Sequence, residues 1–196
     1  SQHICLPGRF YSNGILGGML PFATGTSEIL QPNALNVIFM GDGCFGEGIV
    51  HEALNLANLN KSRILFFIED NRIAQSTVTS TVNGIDKETF FKAHNIPVVS
   101  ILKGDEENLF YQSAKAIDGI RSGEGPKAVI WHCDRHMAHS KGDDTRTIDE
   151  LKQIHNDDYL NSLANRMGLP FSTLFDEACE RQKHIFSMAL KSKPAA

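Results

Sequence analysis

Asn36-Val37-Ile38-Phe39-Met40-Gly41-Asp42-Gly43 is an apolar run that ends in an aspartate between two glycines. A second apolar run, Ile64-Leu65-Phe66-Phe67-Ile68, ends in Glu69-Asp70-Asn71. Runs of this length bounded by turn residues are typical of buried strands, and apolar residues at helical spacing predict a helix near 48–60 between them. A strand, a helix and a second strand predict two parallel neighbours whose carboxyl ends share one edge of a sheet.

The loops that follow these two strands each offer a hard oxygen ligand. Asp42 supplies a charged carboxylate and Asn71 an amide oxygen, a combination suited to Mg²⁺ and to a diphosphate that the ion neutralises. The flanking glycines let backbone N–H groups approach phosphate oxygens closely. The alternative is a hairpin turn at Gly-Asp-Gly and a helix cap at Asn71. The strand before each loop favours the metal site over that alternative.

The remainder of the chain repeats the alternation of helices and apolar strands. The predicted elements are a short helix from about 21 to 31, a strand at 63–69, an irregular loop at 72–86, a short helix at 90–94, a strand at 98–102, a helix at 108–121, a strand at 127–133, a polar loop at 134–147 and helices over 148–196. This alternation is typical of a parallel sheet with helices on both faces. We therefore expect one α/β domain over residues 1–196, with a glycine-rich segment at 1–16.

The composition fits a soluble globular protein and excludes several classes of function. The chain has 196 residues, of which 41% are hydrophobic and 21% charged, enough for one substantial core. A formal charge of −4 without a basic run argues against a nucleic-acid binder. Because no apolar stretch reaches about 18 residues, we expect no membrane span. Four cysteines without a CxxC pair predict reduced thiols in a cytosol-like compartment.

The block from 41 to 57 narrows the prediction to a family. Gly41-Asp42-Gly43-Cys44-Phe45-Gly46-Glu47-Gly48 runs into His51-Glu52-Ala53-Leu54-Asn55-Leu56-Ala57, and it resembles the α subunit of the E1 component of 2-oxo acid dehydrogenase complexes. The spacing from Gly-Asp-Gly to Asn71 also resembles the thiamine diphosphate fingerprint. The resemblance implies the diphosphate-binding domain of the thiamine-diphosphate fold. It also implies that Asp42, Asn71 and the main-chain oxygen of Ile73 bind Mg²⁺.

The resemblance further implies which backbone groups contact thiamine diphosphate. Asn13-Gly14-Ile15-Leu16-Gly17 is similar to the family segment that touches the aminopyrimidine ring, with main-chain contacts from Gly14 and Leu16. Gly43 and Cys44 follow the aspartate, and their N–H groups are expected to face the diphosphate. The alternative for the first segment is a flexible terminus. For the Cys44 side chain, a small apolar role is favoured over a nucleophilic one.

A polar loop from Arg135 to Asp144 carries the candidate catalytic residue. Its sequence, Arg-His-Met-Ala-His-Ser-Lys-Gly-Asp-Asp, resembles the family's arginine-rich loop that ends in Gly-His-Ser, with Ala138 in place of the glycine. The resemblance implies that His139 lies beside the cofactor diphosphate and is needed for reaction. A neutral imidazole donates to phosphate oxygens or moves a proton near pH 7. The alternative is a surface loop with ordinary histidines.

The resemblance implies that the chain is one part of a thiamine-diphosphate-dependent 2-oxo acid decarboxylase/dehydrogenase. It covers about Gly8 to Leu190, the second half of an E1 α subunit, so the chain is expected to be a fragment or a subunit of a split enzyme. Activity would need an E1 β-like chain with the pyrimidine domain, in a hetero-oligomer that passes the acyl group to a lipoyl-bearing acyltransferase. The alternatives are acetoin cleavage, transketolase-like ligation, or a noncatalytic assembly subunit. The expected location is the cytoplasm, or the mitochondrial matrix in a eukaryote.

Overall fold

The computed structural model of the chain describes residues 4–6 and 10–192. It contains two compact units, Ser1–Thr145 and Arg146–Ala196. The strands are β1 (Ile4–Leu6), β2 (Phe10–Ser12), β3 (Asn36–Gly41), β4 (Ile64–Asp70), β5 (Ile73–Ala74), β6 (Thr77–Val78), β7 (Val98–Ile101) and β8 (Lys127–His132). The helices are α1 (Met19–Ser27), α2 (Gly48–Leu59), α3 (Lys87–Ala93) and α4 (Glu106–Arg121) in the first unit, and α5 (Ile148–Asn156), α6 (Tyr159–Met167) and α7 (Leu169–Lys191) in the second.

Four strands form the central sheet in the order β3-β4-β8-β7, and every neighbouring pair is parallel. In the register of the sheet, Gly41 lies opposite Glu69 and Asp70 lies opposite His132. The strands β3, β4 and β8 therefore finish at one edge. Because parallel strands end at the same side, the loops after Gly41 and Asp70 are neighbours.

Helices cover both faces of this sheet. On one face, α1, α2 and α3 pack around side chains that include Leu54 and Phe66, both fully buried. On the other face, Ile120 of α4 packs in a second cluster with Leu65 and Val129. Successive strand residues point to opposite faces, which is why β4 contributes to both clusters. The prediction of an α/β fold, a parallel sheet with helices on both faces, is confirmed.

β3 is the last strand on its side of the sheet among the described residues. Val37 and Phe39 are 42% and 67% exposed, although the alternate residues Ile38 and Met40 are buried. The ring centroid of Phe39 lies 5.2 Å from that of Phe67 on β4. The face of β3 that carries Phe39 is therefore open.

The segment predicted as an irregular loop at 72–86 contains more regular structure than expected. β5 and β6 form an antiparallel hairpin in which Ile73 lies opposite Val78. Arg72 and Gln75 have φ values of 66° and 54°, in the left-handed region that usually selects glycine. Because neither position is glycine, the sequence carries no turn signal there, and the hairpin was not predicted.

Two further differences concern the start of the chain and the start of α3. β1 and β2 form an antiparallel pair in which Cys5 lies opposite Tyr11, inside the segment at 1–16 that was predicted to be glycine-rich. Residues 1–3 and 7–9 of that segment lie outside the described residues. α3 begins before the predicted position near 90, because the Asp86 carboxylate caps it by accepting the Thr89 amide at 2.9 Å.

The second unit consists of the three helices α5, α6 and α7, and residues 193–196 lie outside the described part. α5 begins with a capping box in which the Thr147 and Glu150 side chains each bond the other's backbone amide. None of the helical residues in this unit is buried. Within the described residues, no helix is long and apolar enough to span a membrane.

Candidate functional site

Asp42 lies immediately after β3, in a short 3-10 turn that spans Asp42–Gly46. The residue is only 2% exposed, and its Oδ2 atom is buried without a hydrogen-bond partner among the described residues. Burial raises the pKa of this carboxyl above its usual range; a hydrogen bond from Thr79 opposes the rise, and the charge of Asp70 adds to it. A buried, unpartnered carboxylate oxygen is unfavourable by itself and suits a bound cation.

The turn after β4 is built by its own side chains. The Asp70 Oδ1 atom accepts the Arg72 amide at 3.3 Å, and the Asn71 Oδ1 atom accepts the Ile73 amide at 3.1 Å. Arg72 has the left-handed φ that closes the turn, and its carbonyl accepts the Thr79 amide at 3.0 Å. An amide oxygen has two lone pairs, so Asn71 retains one for a further ligand.

Gly43 lies where the Asn71 turn, which follows β4, meets the Asp42 turn, which follows β3. A Cβ atom built on Gly43 would lie 2.5 Å from the Cβ atom of Ala74, closer than any side chain tolerates. The Asn83 side chain adds a bridge by donating to the Asp42 carbonyl at 3.2 Å. Asp42, Asn71 and Ile73, the three predicted Mg²⁺ ligands, therefore lie on two adjoining loops.

The donor set at these loops determines which ions fit. The described residues contain no group of three His, Cys, Asp or Glu side chains that could hold a metal ion. A metal site at this edge would instead use the carboxylate of Asp42, the amide oxygen of Asn71 and the main-chain oxygen of Ile73. These are oxygen ligands with one formal charge, and such a set suits Mg²⁺ that keeps water or phosphate ligands. The residues present therefore fit the predicted ion.

The segment from 13 to 18 is anchored on the start of α2, which follows the Asp42–Gly46 turn directly. Its fold depends on Asn13, whose Oδ1 accepts the Ile15 amide at 3.0 Å, and on Gly17 with a φ of 69°. A Cβ atom at Gly17 would lie 2.9 Å from a Val50 methyl group. Within this segment, the predicted cofactor contacts Gly14 and Leu16 are both exposed, and Leu16 is 55% exposed.

The loop that carries His139 docks on the β5–β6 hairpin. The Arg135 Nη1 atom donates to the Gln75 carbonyl at 2.8 Å. The His139 side chain is 56% exposed, and its Nδ1 atom lies 3.0 Å from Ser140 Oγ and 3.6 Å from Asp143 Oδ2. These local partners do not join His139 to the three predicted Mg²⁺ ligands. The loop is thus attached to the β5–β6 hairpin through Arg135 rather than through His139.

Cys44 lies in the core rather than at a surface. Its Sγ atom donates to the Gly41 carbonyl at 2.9 Å, and the residue is 3% exposed. Burial raises the pKa of the Cys44 thiol to about 12. A thiol with this pKa is not a nucleophile near neutral pH, which agrees with the interpretation of Cys44 as a small apolar residue.

A cluster behind the Asn71 turn was not identified from the sequence. Asp70 Oδ2 lies 3.2 Å from Lys87 Nζ and 3.2 Å from His132 Nδ1. The His132 Nε2 atom is 2.8 Å from Ser100 Oγ. These residues come from three neighbouring strands and a helix, so only the order and register of the sheet reveal that they meet.

A cleft opens beside this cluster, at the ends of β7 and β8. It is lined by Arg72, Leu102, Lys103, His132, Cys133 and Asp134. Asp134 pairs with Arg72 at 2.8 Å and with Lys103. Burial alone would raise the pKa of Asp134, but these two cations hold it below its usual range. The Asp134 carboxylate therefore already neutralises part of the positive charge of Arg72 and Lys103 in the cleft.

The Dehydrogenase E1 component family matches residues 8–169 of this chain. The chain belongs to that family. The resemblance inferred from the block around Asp42 is thereby confirmed.

Three relatives show how much of the chain is shared. The α subunit of the mitochondrial pyruvate dehydrogenase E1 component of Saccharomyces cerevisiae is 29% identical over 79% of this chain and 38% of its own length. The α subunit of acetoin:2,6-dichlorophenolindophenol oxidoreductase of Bacillus subtilis is 30% identical over 69% of this chain and 42% of its own. The pyruvate dehydrogenase E1 α subunit of Zymomonas mobilis is 27% identical over 88% and 52%. The chain thus spans about two fifths to one half of these relatives.

Proposed function

We propose that this chain carries the Mg²⁺- and diphosphate-binding part of a thiamine-diphosphate-dependent 2-oxo acid dehydrogenase E1 component. The single observation that carries the proposal is the buried Asp42 Oδ2 atom, which has no hydrogen-bond partner among the described residues. It belongs to a turn whose glycine leaves no room for a Cβ beside the Asn71 loop. Membership of the E1 family adds independent support.

In this proposal each predicted residue has a physical task. Asp42, Asn71 and the Ile73 carbonyl hold Mg²⁺, while the amides of Gly43 and Cys44 bind diphosphate oxygens in the first turn of a 3-10 helix, where N–H groups lack internal acceptors. Main-chain groups of the exposed residues Gly14 and Leu16 contact the aminopyrimidine ring.

The chemistry that bound thiamine diphosphate supplies is the decarboxylation of a 2-oxo acid and the carriage of the resulting acyl group. His139 donates to a diphosphate oxygen or moves a proton beside it. Its exposure of 56% supports this role, because an exposed imidazole can reach a ligand that enters from solvent.

The proposed enzyme needs a second chain. The resemblance assigns the group that activates the aminopyrimidine ring to a pyrimidine domain, which an E1 β-like partner would carry in a hetero-oligomer. A lipoyl-bearing acyltransferase would then accept the acyl group. The relatives are named as α subunits, which supports the proposal of a partner chain.

The proposal is tested by coexpressing the chain with an E1 β-like partner and measuring bound thiamine diphosphate and Mg²⁺ after gentle purification. We expect near-stoichiometric cofactor, Mg²⁺-dependent retention, and decarboxylation of a 2-oxo acid. Asp42→Ala should abolish both retention and activity. A complex that stays empty in excess Mg²⁺ and thiamine diphosphate would favour a noncatalytic assembly subunit instead.

One specific observation favours a second candidate, acetoin cleavage. The Bacillus subtilis relative named for acetoin and dichlorophenolindophenol is 30% identical to this chain. The same cofactor site would serve either reaction. Dye reduction with acetoin but not with 2-oxo acids would select this candidate, and lipoamide-dependent turnover of a 2-oxo acid would select the first.

A further inference from the structure

Asp70 is a buried carboxylate that connects the Asn71 turn to the rest of the fold. Its side chain is 6% exposed and uses both oxygens: Oδ1 accepts the Arg72 amide, and Oδ2 lies 3.2 Å from Lys87 Nζ. His132 Nδ1 lies at the same distance from Oδ2. The Arg72 amide belongs to the backbone between Asn71 and Ile73. The position of this carboxylate therefore sets the position of that backbone.

Lys87 occupies an unfavourable place that the Asp70 carboxylate explains. It is the first residue of α3, where the helix dipole disfavours a cation. Its side chain is nonetheless 16% exposed, so the long stem is directed inward. The charge of Lys87 also lowers the pKa of the Asp42 carboxyl, against the larger rise that burial causes. The positive charge of Lys87 thus acts on two buried carboxylates, Asp70 at the end of β4 and Asp42 in the turn after β3.

We propose that Lys87 and Asp70 form a positioning pair for the turn that presents Asn71 and Ile73. Lys87 holds the Asp70 carboxylate in place, His132 supports it from β8, and Asp70 fixes the left-handed turn at Arg72. This inference rests on the proposed function only where it concerns Mg²⁺; the effect on the turn itself does not require a cofactor. Neither side chain touches the ion or the substrate.

The first experiment uses hydrogen exchange on the cofactor-free full chain. Lys87→Met keeps the stem and removes the charge, and we expect severalfold faster exchange at the Arg72, Ile73 and Thr79 amides. Lys92→Met is the matched control: Lys92 lies on the same helix but pairs with Glu88 on the surface, so exchange in the turn should not change. Equal exchange in Lys87→Met and wild type would overturn the proposal.

The second experiment measures the Mg²⁺ concentration needed for half-maximal retention of thiamine diphosphate by the complex. A residue that supports a metal ligand changes metal affinity by about 10- to 100-fold, so Lys87→Met should raise this concentration by about that factor. Lys87→Arg should restore most of the loss. Asp70→Asn combined with Lys87→Met should cost less than the sum of the single changes, because both remove one pair. Additive effects, or failure of Lys87→Arg to rescue, would contradict the pair.

The two experiments separate the two proposals. If the wild-type complex retains no thiamine diphosphate while Lys87→Met still speeds exchange in the turn, the proposed function fails and the positioning pair stands. If the wild type retains the cofactor and Lys87→Met changes neither measurement, the positioning pair fails and the proposed function stands.

Discussion

Gly43 and Ala74 lie against each other so closely that a Cβ on Gly43 would stand 2.5 Å from the Cβ of Ala74. Gly43 follows β3 and Ala74 belongs to the β5–β6 hairpin, so this contact joins the two candidate metal loops. Ala74 is held in the hairpin opposite Thr77 and cannot retreat without breaking that pairing. The space between the loops thus leaves room for glycine at position 43 but not for a residue with a Cβ atom.

Gly43→Ala should therefore separate the loops. Because the neighbouring atom is a Cβ attached to the backbone, we expect a loss of about 1–3 kcal/mol in the free energy of unfolding, together with weaker Mg²⁺-dependent cofactor retention. Denaturant unfolding measures the first effect and equilibrium dialysis the second. Gly48→Ala is the control, since a Cβ at Gly48 meets nothing within 4 Å. Equal stability of Gly43→Ala and Gly48→Ala would refute the contact.

Asp42 is expected to reduce the stability of the cofactor-free protein. Burial raises the pKa of the Asp42 carboxyl above its ordinary value of 3.8, so between that value and the folded pKa the folded chain binds more protons than the unfolded chain. Stability consequently falls as pH rises through that window. Asp42→Asn removes the charge and should stabilise the cofactor-free protein by roughly 0.5–2 kcal/mol at pH 7, with a smaller gain near pH 4.

Thermal unfolding at both pH values measures this effect. Asp118→Asn, on the exposed side of α4, is the control and should stay within about 0.5 kcal/mol of wild type. A variant Asp42→Asn that is no more stable than wild type at pH 7 would show that the carboxylate is adequately paired without a metal.

His139→Ala should lower turnover while leaving the free energy of unfolding nearly unchanged. The side chain is half exposed and its hydrogen-bonding partners are local, so unfolding should change by less than about 0.5 kcal/mol. Loss of a proton-transferring group lowers turnover by about 10²- to 10⁴-fold, and the reconstituted complex should show a loss of that order. His184→Ala, on exposed α7, should leave turnover intact. Full activity of His139→Ala would remove this residue from the reaction.

The cysteines should differ sharply in reactivity. Burial raises the pKa of both Cys44 and Cys133 to about 12, whereas Cys5 is exposed. Alkylation at pH 8 of the native protein, mapped by peptide mass spectrometry, should therefore modify Cys5 well before Cys44 or Cys133. In guanidinium chloride all of them should react alike. Rapid native labelling of Cys44 would mean that the turn after β3 opens readily.

The sequence predicted the central sheet because its strands are continuous apolar runs that only a doubly covered sheet can bury. It also indicated the loops of Asp42 and Asn71, since each directly follows such a run. The β5–β6 hairpin was missed because its left-handed residues are Arg72 and Gln75, which carry no turn signal.

The cluster around Asp70 was missed for a different reason. Lys87, His132 and Ser100 are far apart in sequence, and their meeting depends on β8 lying between β4 and β7. Strand order in a parallel sheet is not encoded in the local pattern of any one strand. Conversely, the roles of Gly14, Leu16 and His139 came from resemblance and stay predictions, of which the His139→Ala experiment addresses the last.

The open face of β3 has a practical consequence for handling the isolated chain. An edge strand offers unpaired N–H and C=O groups to any other chain, and an exposed aromatic side chain beside them promotes self-association. Phe39 supplies that side chain. Solutions of the chain alone should consequently lose monodispersity as they are concentrated, and Phe39→Lys is the single change best placed to keep them suitable for solution spectroscopy.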